Sequence, residues 1–416
     1  MLRKISFIAV NIFSSGILFT KLLLFLKYLP DKDLGAIMLF QAVISLLGLA
    51  QVGLFNGGLR IFSIDNEKNN FKTTNNSIFT YVIIITFLLV SGALLFSFFF
   101  EFDLIIFLIA SLTGGFSLLK NWFSNLLIAR KKLKEINILN FCSAIVSAAL
   151  AFTIFYWGVI GAIISIGSMY VVFVVLFFIL QREYVPSKIQ LDITIIKKML
   201  SFGFIPYLSG IAVLLNNQID RFFIAQAISL EALGQFYLAT TFITIFNLFP
   251  VNLNSLFMPS GVNNYTNRNL KQTINSAKNY FFILTLYAFL STSVLFLFGE
   301  LIIGAIFPDK IEQLKFLFIM IPGIIALLLS KPFSYVLYIS LNLKALLWSN
   351  LVSLFSYVSI LVFLLIISNF TIENVAYAKS FQGILVLVFL LIITFSSWRK
   401  IKSFEYISEN KYSKNV

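Results

Sequence analysis

MLSFGFIPYLSGIAVLLNNQIDRFFIAQAISLEALGQFYLAT, the stretch from Met199 to Thr240, decides how this chain is read. It follows a basic pair, Lys197 and Lys198, and then runs apolar for more than the thickness of a bilayer, with Pro206 and Gly210 early in the run. Deep inside it sit Asn216, Asn217, Gln218, Asp220 and Arg221. A spanning helix needs about 20 mostly apolar residues, and a charge near its middle costs about 2.5–3.5 kcal/mol on insertion scales. An adjacent Asp–Arg pair beside three amides therefore calls for a polar cavity or for partner helices. The stretch marks the first helix of the second half of a duplicated membrane protein.

Composition agrees with that reading. The 416 residues are 59% hydrophobic and 17% aromatic, and only 12% are charged, against about 25% in soluble domains. Long apolar runs in place of short alternating segments exclude a β-barrel. The net charge of +14 sits in short clusters between apolar runs, which argues against nucleic acid as a partner. There is no His and one Cys, Cys142, inside an apolar run. Zinc ligand sets, Cys–His nucleophiles and Ser–His–Asp triads are excluded, and the absence of a Walker A sequence excludes ATP hydrolysis as the energy source. The N-terminal MLRK and the apolar run after it resemble a signal peptide but lack a clean small-residue cleavage site, so an uncleaved first span is expected.

Twelve spans are expected, at 6–28, 35–57, 78–100, 104–127, 138–157, 159–180, 200–227, 234–257, 280–304, 316–340, 346–367 and 376–397. They make an all-α polytopic membrane protein of two six-helix bundles, 1–190 and 191–416. With the N-terminus inside, 22 of the 31 Lys and Arg fall in inner segments. These run from Arg3 and Lys4 through Arg60 and Lys68, the cluster Arg130 to Lys134, and Arg268 and Lys271, to the tail from Arg399. Only four, Lys32, Lys310, Lys315 and Lys379, fall outside. That bias sets both termini in the cytoplasm. Phe123–Asn140 aligns without gaps to Phe333–Asn350 at an offset of 210, and Leu34-Gly35 echoes Leu233-Gly234 at 199. Spans one and seven run the same way, so the halves form a parallel repeat about an axis along the membrane normal.

Five cations lie within spans: Lys21, Lys27, Lys120, Arg221 and Lys331. At the 199 offset Lys21 falls on Asp220, which suggests opposite charges facing each other across a central cavity. Lys21 also fits the plainer role of a side chain reaching for the interface. Neighbours on a helix point about 100° apart, so Asp220 and Arg221 do not simply satisfy each other. Lys120 keeps polar company in Asn121, Ser124 and Asn125, and Lys331 precedes Pro332 with Ser330 and Ser334 nearby. Breaks in helix hydrogen bonding of that kind concentrate at cavities. Asn247, Pro250, Asn252 and Asn254 make part of span eight polar, and Gln51, Asn56, Gly57 and Gly58 do the same in span two; close packing explains both sets equally well. Lys21, Lys120, Asn217, Arg221, Asn247 and Lys331 are the candidate substrate-binding residues, and Asp220, the only deep carboxylate, is the candidate for ion coupling. No metal site and no cofactor are expected beyond an H+ or Na+ gradient.

Four stretches carry a resemblance: YLPDKDLG (Tyr28–Gly35), FGFIP (Phe202–Pro206), NQIDR (Asn217–Arg221) and LEALGQFY (Leu230–Tyr237). With them the chain resembles the polysaccharide-biosynthesis transporters, the Wzx-type repeat-unit flippases of O-antigen, lipopolysaccharide and capsule assembly, within the superfamily that includes the MATE exporters. The resemblance implies a MATE-like fold with a V-shaped central cavity and alternating access. It also implies an oligosaccharide linked through pyrophosphate to undecaprenol as substrate, the bacterial inner membrane as location, and a polymerase and chain-length regulator as pathway partners. Physics points the same way. Cationic side chains and amides make charge-assisted bonds to a pyrophosphate, while an acyl tail stays in lipid. A MATE-like exporter of cationic drugs would want an acid-rich cavity instead. A polymerase or glycosyltransferase would want a large outer domain with catalytic groups, and here the outer acids are only Glu101 with Asp103 and Asp309 with Glu312.

Overall fold

The computed structural model describes residues 2–64, 68–99, 104–267, 269–340 and 342–412. The side chains of 1–12, 59–61, 63–70, 93–99, 104, 252, 255, 256, 259, 266, 270 and 396–412 lie outside the description. Arg3, Lys4, Arg60, Lys68, Glu101, Asp103, Asn252, Arg268 and the tail cations from Arg399 are among those not described. The first half consists of α1 (Leu2–Tyr28), α2 (Asp31–Leu47), α3 (Leu54–Ile64), α4 (Lys68–Phe99), α5 (Leu104–Ala129), α6 (Leu133–Ala149) and α7 (Ile154–Leu180). The second consists of α8 (Ile193–Ala227), α9 (Leu230–Gln235), α10 (Tyr237–Thr266), α11 (Leu270–Ile306), α12 (Leu314–Ile339), α13 (Leu343–Ile366) and α14 (Ile372–Tyr412). The described residues contain no strand.

Ten stretches of the described residues are long and apolar enough to cross a membrane. One of them, Leu133–Leu180, holds 48 residues and doubles back at Gly158, whose φ of 51° and ψ of −127° leave the helical region. Ser147 and Ser165 each donate from Oγ to the other's carbonyl at 2.6 Å. Thr153 Oγ1 reaches the Gly161 carbonyl at 3.2 Å, so α6 and α7 are an antiparallel hairpin. Phe152, Phe155, Tyr156 and Trp157 stand exposed at its tip, as aromatic side chains do at a membrane interface. Elsewhere Phe289, Leu297 and Ile366 are 66%, 74% and 75% exposed, a surface that only lipid tails cover. This is a multi-pass membrane protein.

With the hairpin counted as two crossings and α1 included, twelve rods follow the expected order. Span two differs in detail. It runs from Asp31 to Ile64 and is interrupted by a short 3-10 turn at Gly48–Gln51, then by Val52 and Gly53 at φ of 48° and 88°. The carbonyls freed at this break are taken by tyrosines. Tyr207 donates to Leu49 O at 2.6 Å and Tyr81 to Ala50 O at 2.7 Å, so the break leaves neither of them unsatisfied. Span eight likewise opens with the short α9 before α10.

The repeat is legible in the helix boundaries. α1 ends at Tyr28 and α8 at Ala227; α2 starts at Asp31 and α9 at Leu230. Both pairs keep the 199 offset. α5 ends at Ala129 and α12 at Ile339, while α6 starts at Leu133 and α13 at Leu343, both at 210. Where α2 crosses α9, a Cβ on Gly35 would strike the Leu230 carbonyl, and one on Gly234 would strike the carbonyl of Asp31. Asp31 and Leu230 are themselves mates at 199, so the contact maps onto itself when the halves are exchanged.

The loops sort onto two ends. At one, Asp31 pairs with Lys310 and accepts from Gln313 Nε2 at 3.1 and 3.2 Å. Lys315 pairs with Glu373 at 2.6 Å, and the Tyr28 and Phe155 rings meet at 4.9 Å. At the other end Lys132 lies 3.8 Å from Glu183, and the Arg130 guanidinium sits 4.5 Å over Phe71. The linker between halves is stitched along α4 there. The backbone N–H groups of Ser187, Gln190 and Asp192 donate to Asn76, Thr80 and Ser77, each at 3.0 Å.

Candidate functional site

α8 is 35 residues long and is started by Asp192, whose carboxylate accepts from the N–H groups of Thr194 and Ile195 at 2.9 and 3.1 Å. Asn216 and Asp220 are four residues apart and share one face of it. That face turns into the second bundle, against α13 and α14. Asp220 is 3% exposed. Its Oδ2 accepts from the Tyr357 hydroxyl at 3.1 Å and pairs with Lys379 Nζ at 3.1 Å. Lys379 also donates to the Asn216 carbonyl and lies 4.7 Å from the centre of the Tyr357 ring. Asn216 Nδ2 and Gln382 Nε2 both reach Ser353 Oγ at 3.2 Å.

Lys379 is therefore not an outer-loop charge. It lies two turns inside α14 with its side chain 13% exposed, because a buried carboxylate on the facing helix compensates it. The outer side of the charge count falls to three, which strengthens the bias. The expected confrontation of Lys21 with Asp220 also changes. Each is held inside its own half. Lys21 is 6% exposed and donates to Ser147 Oγ at 2.7 Å, and that hydroxyl passes its own hydrogen to Ser165 O. The two arrangements correspond: α1, α6 and α7 hold Lys21, while α8, α13 and α14 hold Asp220. Ser147 and Tyr357, the residues that touch Lys21 and Asp220, are mates at the 210 offset.

Lys120 sits over aromatic faces, 5.1 Å from the Tyr170 ring centre and 5.6 Å from that of Phe173. Arg221 turns away from Asp220, as their helix spacing requires, and its Nη1 donates to Met38 O on α2 at 3.2 Å. With Thr240, whose hydroxyl reaches Met38 Sδ, it joins the halves here, and its Nε is buried without an acceptor. Lys331 is half-buried on α12, and no described residue accepts from its Nζ. Asn247 donates to Ile243 O of its own helix at 3.0 Å, and Asn217 is exposed. The structure thus gathers Lys21 with Lys120 in one bundle and Asp220 with Lys379 in the other, and does not bring Asn217 or Asn247 to either group.

Sequence reasoning missed Lys379, Tyr357, Ser147, Ser165 and Gln382. The register of the repeat relates Ser147 to Tyr357 at the 210 offset, but Ser165, Lys379 and Gln382 fall on Val375, Met169 and Val172 and carried no such signal. Among the described residues more than a turn inside their helices, Lys21 is buried and Lys120, Arg221, Lys331 and Lys379 are half-buried, against one such carboxylate, Asp220. Ion pairs are found for only one of the five. An unpaired ion taken out of water costs several kcal/mol. Interiors of this sign suit an anion that supplies the missing charge.

No family model matches the sequence, and no curated protein matches it either. Solved structures do. An inward-facing conformation of a multidrug resistance MATE family transporter of the MOP superfamily superposes with a TM-score of 0.70 at 13% identity, over 96% of this chain and 99% of that one. The lipid II flippase MurJ in an inward closed conformation gives 0.75 at 17%, over 93% and 87%. A MOP superfamily transporter from Pyrococcus furiosus, described as having a binding pocket of reverse polarity, gives 0.62 at 13%, over 96% of both chains. Over nearly its whole length, this chain has the fold of the MOP superfamily transporters.

Proposed function

We propose that this protein is a flippase of the bacterial inner membrane that moves a polyprenyl-pyrophosphate-linked oligosaccharide repeat unit outward by alternating access. The observation that carries the reading is the sign of the interior. Lys21, Lys120 and Lys331 are buried or half-buried in an apolar bundle with no described acid beside them. A pyrophosphate offers the charge they lack, and each charge-assisted bond to it contributes about 1.5–3 kcal/mol. Sugars give further acceptors and donors to the serines and amides, and the polyprenyl tail remains in lipid. The substrate leaves chemically unchanged, so no catalytic residue is called for. Direction comes from an ion gradient or from consumption of the product by a polymerase outside, with its chain-length regulator. The fold shared with a lipid II flippase supports the class of cargo.

The test is a strain lacking the gene. Single undecaprenyl-linked units should accumulate on the inner leaflet, and polysaccharide display should return on complementation. Display of single unpolymerised units outside the cell would make the protein a polymerase, and unchanged glycan display with loss of drug export would make it a MATE-like exporter.

A further inference from the structure

Lys379 occupies a pocket whose walls are those of a cation site. Its ammonium meets the Asp220 carboxylate at 3.1 Å, the main-chain carbonyl of Asn216 and the face of Tyr357 at 4.7 Å. These groups come from α8 and α13, while the ammonium arrives from α14. Carboxylate, carbonyl and aromatic face are the groups that bind a desolvated monovalent cation or an alkylammonium. Two residues of this cluster also carry acceptors that no donor meets. Asn216 Oδ1 and Gln382 Oε1 are buried with no donor, on residues 8% and 3% exposed. Both amides already spend their N–H groups on Ser353 Oγ. Buried amide oxygens are rarely left unmet, and two in one cluster point to a cavity more electronegative than its resident charge requires.

We infer that the second bundle contains a monovalent-cation site whose occupant is the chain's own Lys379 ammonium. The same ligands accept a small free cation once that side chain is cut back. In the intact protein the site is self-filled, so no free cation binds at Asp220 and none is carried through it. Any ion that drives transport enters elsewhere. The first half lacks the device: its mate of Asp220 is Lys21, which is held by Ser147 with no described carboxylate. This inference does not depend on what the protein transports.

The experiment follows the melting temperature of the purified full-length protein in detergent at constant ionic strength. Sodium, methylammonium and choline chlorides are compared. Wild type should melt at one temperature in all three. Lys379→Ala should melt lower in choline and recover by roughly 2–5 °C in sodium or methylammonium, saturating with concentration. Asp220→Asn combined with Lys379→Ala should respond to none of them, because the carboxylate that binds the cation is gone. A saturable sodium or methylammonium effect on wild type overturns the proposal, and that arm stands even if Lys379→Ala cannot be purified. Identical melting of Lys379→Ala in the three salts also overturns it and leaves an ordinary buried ion pair. Rescue that persists without Asp220 would place the cation at another site and overturn it as well.

Discussion

Two lysines of this chain, both in apolar spans, stand in opposite situations. Lys379 has a carboxylate, a carbonyl and a ring, whereas Lys331 has no described acceptor. Their variants should therefore part company. Lys331→Gln removes a charge that stabilises nothing in the empty protein, so the melting temperature should hold or rise while glycan display falls. Removing a charge-assisted bond to the headgroup predicts about a tenfold to hundredfold loss of affinity. Display and abundance in the complemented deletion strain measure this, and normal display at normal abundance would refute the role of Lys331. Asp220→Asn does the reverse. It strands the Lys379 ammonium in an apolar bundle and should destabilise by about 3–5 kcal/mol, read as a large fall in melting temperature. Tyr357→Phe removes only one bond to the same carboxylate and should cost about 1–3 kcal/mol. Equal melting of Asp220→Asn and wild type would show that the pair carries no structural weight.

At the level of helices, the self-mapping contact of α2 with α9 depends on two residues without side chains. Gly35→Ala and Gly234→Ala each drive a methyl into a main-chain carbonyl, and overpacking of this kind costs about 1–3 kcal/mol or more. The double variant should cost less than the sum, since the first methyl already separates the helices. Gly92→Ala is the control. A Cβ there meets nothing within 4 Å, and replacing a mid-helix glycine should stabilise by about 0.5–1 kcal/mol. Thermal melts of the four proteins decide the matter. Several helices run well past the expected spans, but this contact was half visible in the sequence, as the Leu-Gly echo at the 199 offset, and so were the order of the helices and the hairpin break at Gly158. The interruption at Gly48–Gly53 was not, because apolar residues continue through it and the tyrosines that repair it lie 31 and 158 residues away. The destination of Lys379 was hidden for a similar reason. A lysine near the start of a span looks like an interface anchor until the acid on another helix is known, and only packing supplies that acid.

For the molecule as a whole, the sorting of loops gives a direct test of orientation. Tyr156 is 85% exposed at the tip of the α6–α7 hairpin, and Lys132 lies at the opposite end beside Glu183. With Cys142 replaced, Tyr156→Cys should react with an impermeant thiol reagent in intact cells, whereas Lys132→Cys should react only after lysis. Labelling of Lys132→Cys from outside would reverse the orientation drawn from the basic residues. Lys21 and Lys120 in one half, and Arg221, Lys331 and the Asp220–Lys379 pair in the other, give the two halves alike backbones and differently arranged charges.

The α6–α7 hairpin has a consequence for how the protein is made. No charged residue occurs between Glu135 and Arg182, so nothing within the run tells a translocating machine where one helix ends and the next begins. Its flanking cations, Lys134 and Arg182, both belong to the same end of the molecule. The nascent segment has to enter lipid as a pair, its reversal fixed by Gly158 and by the reciprocal serine bonds and not by charge. A force profile recorded on the ribosome should show one broad pull for this segment where the neighbouring spans show separate ones. Introducing a lysine at Val159 should split that pull in two.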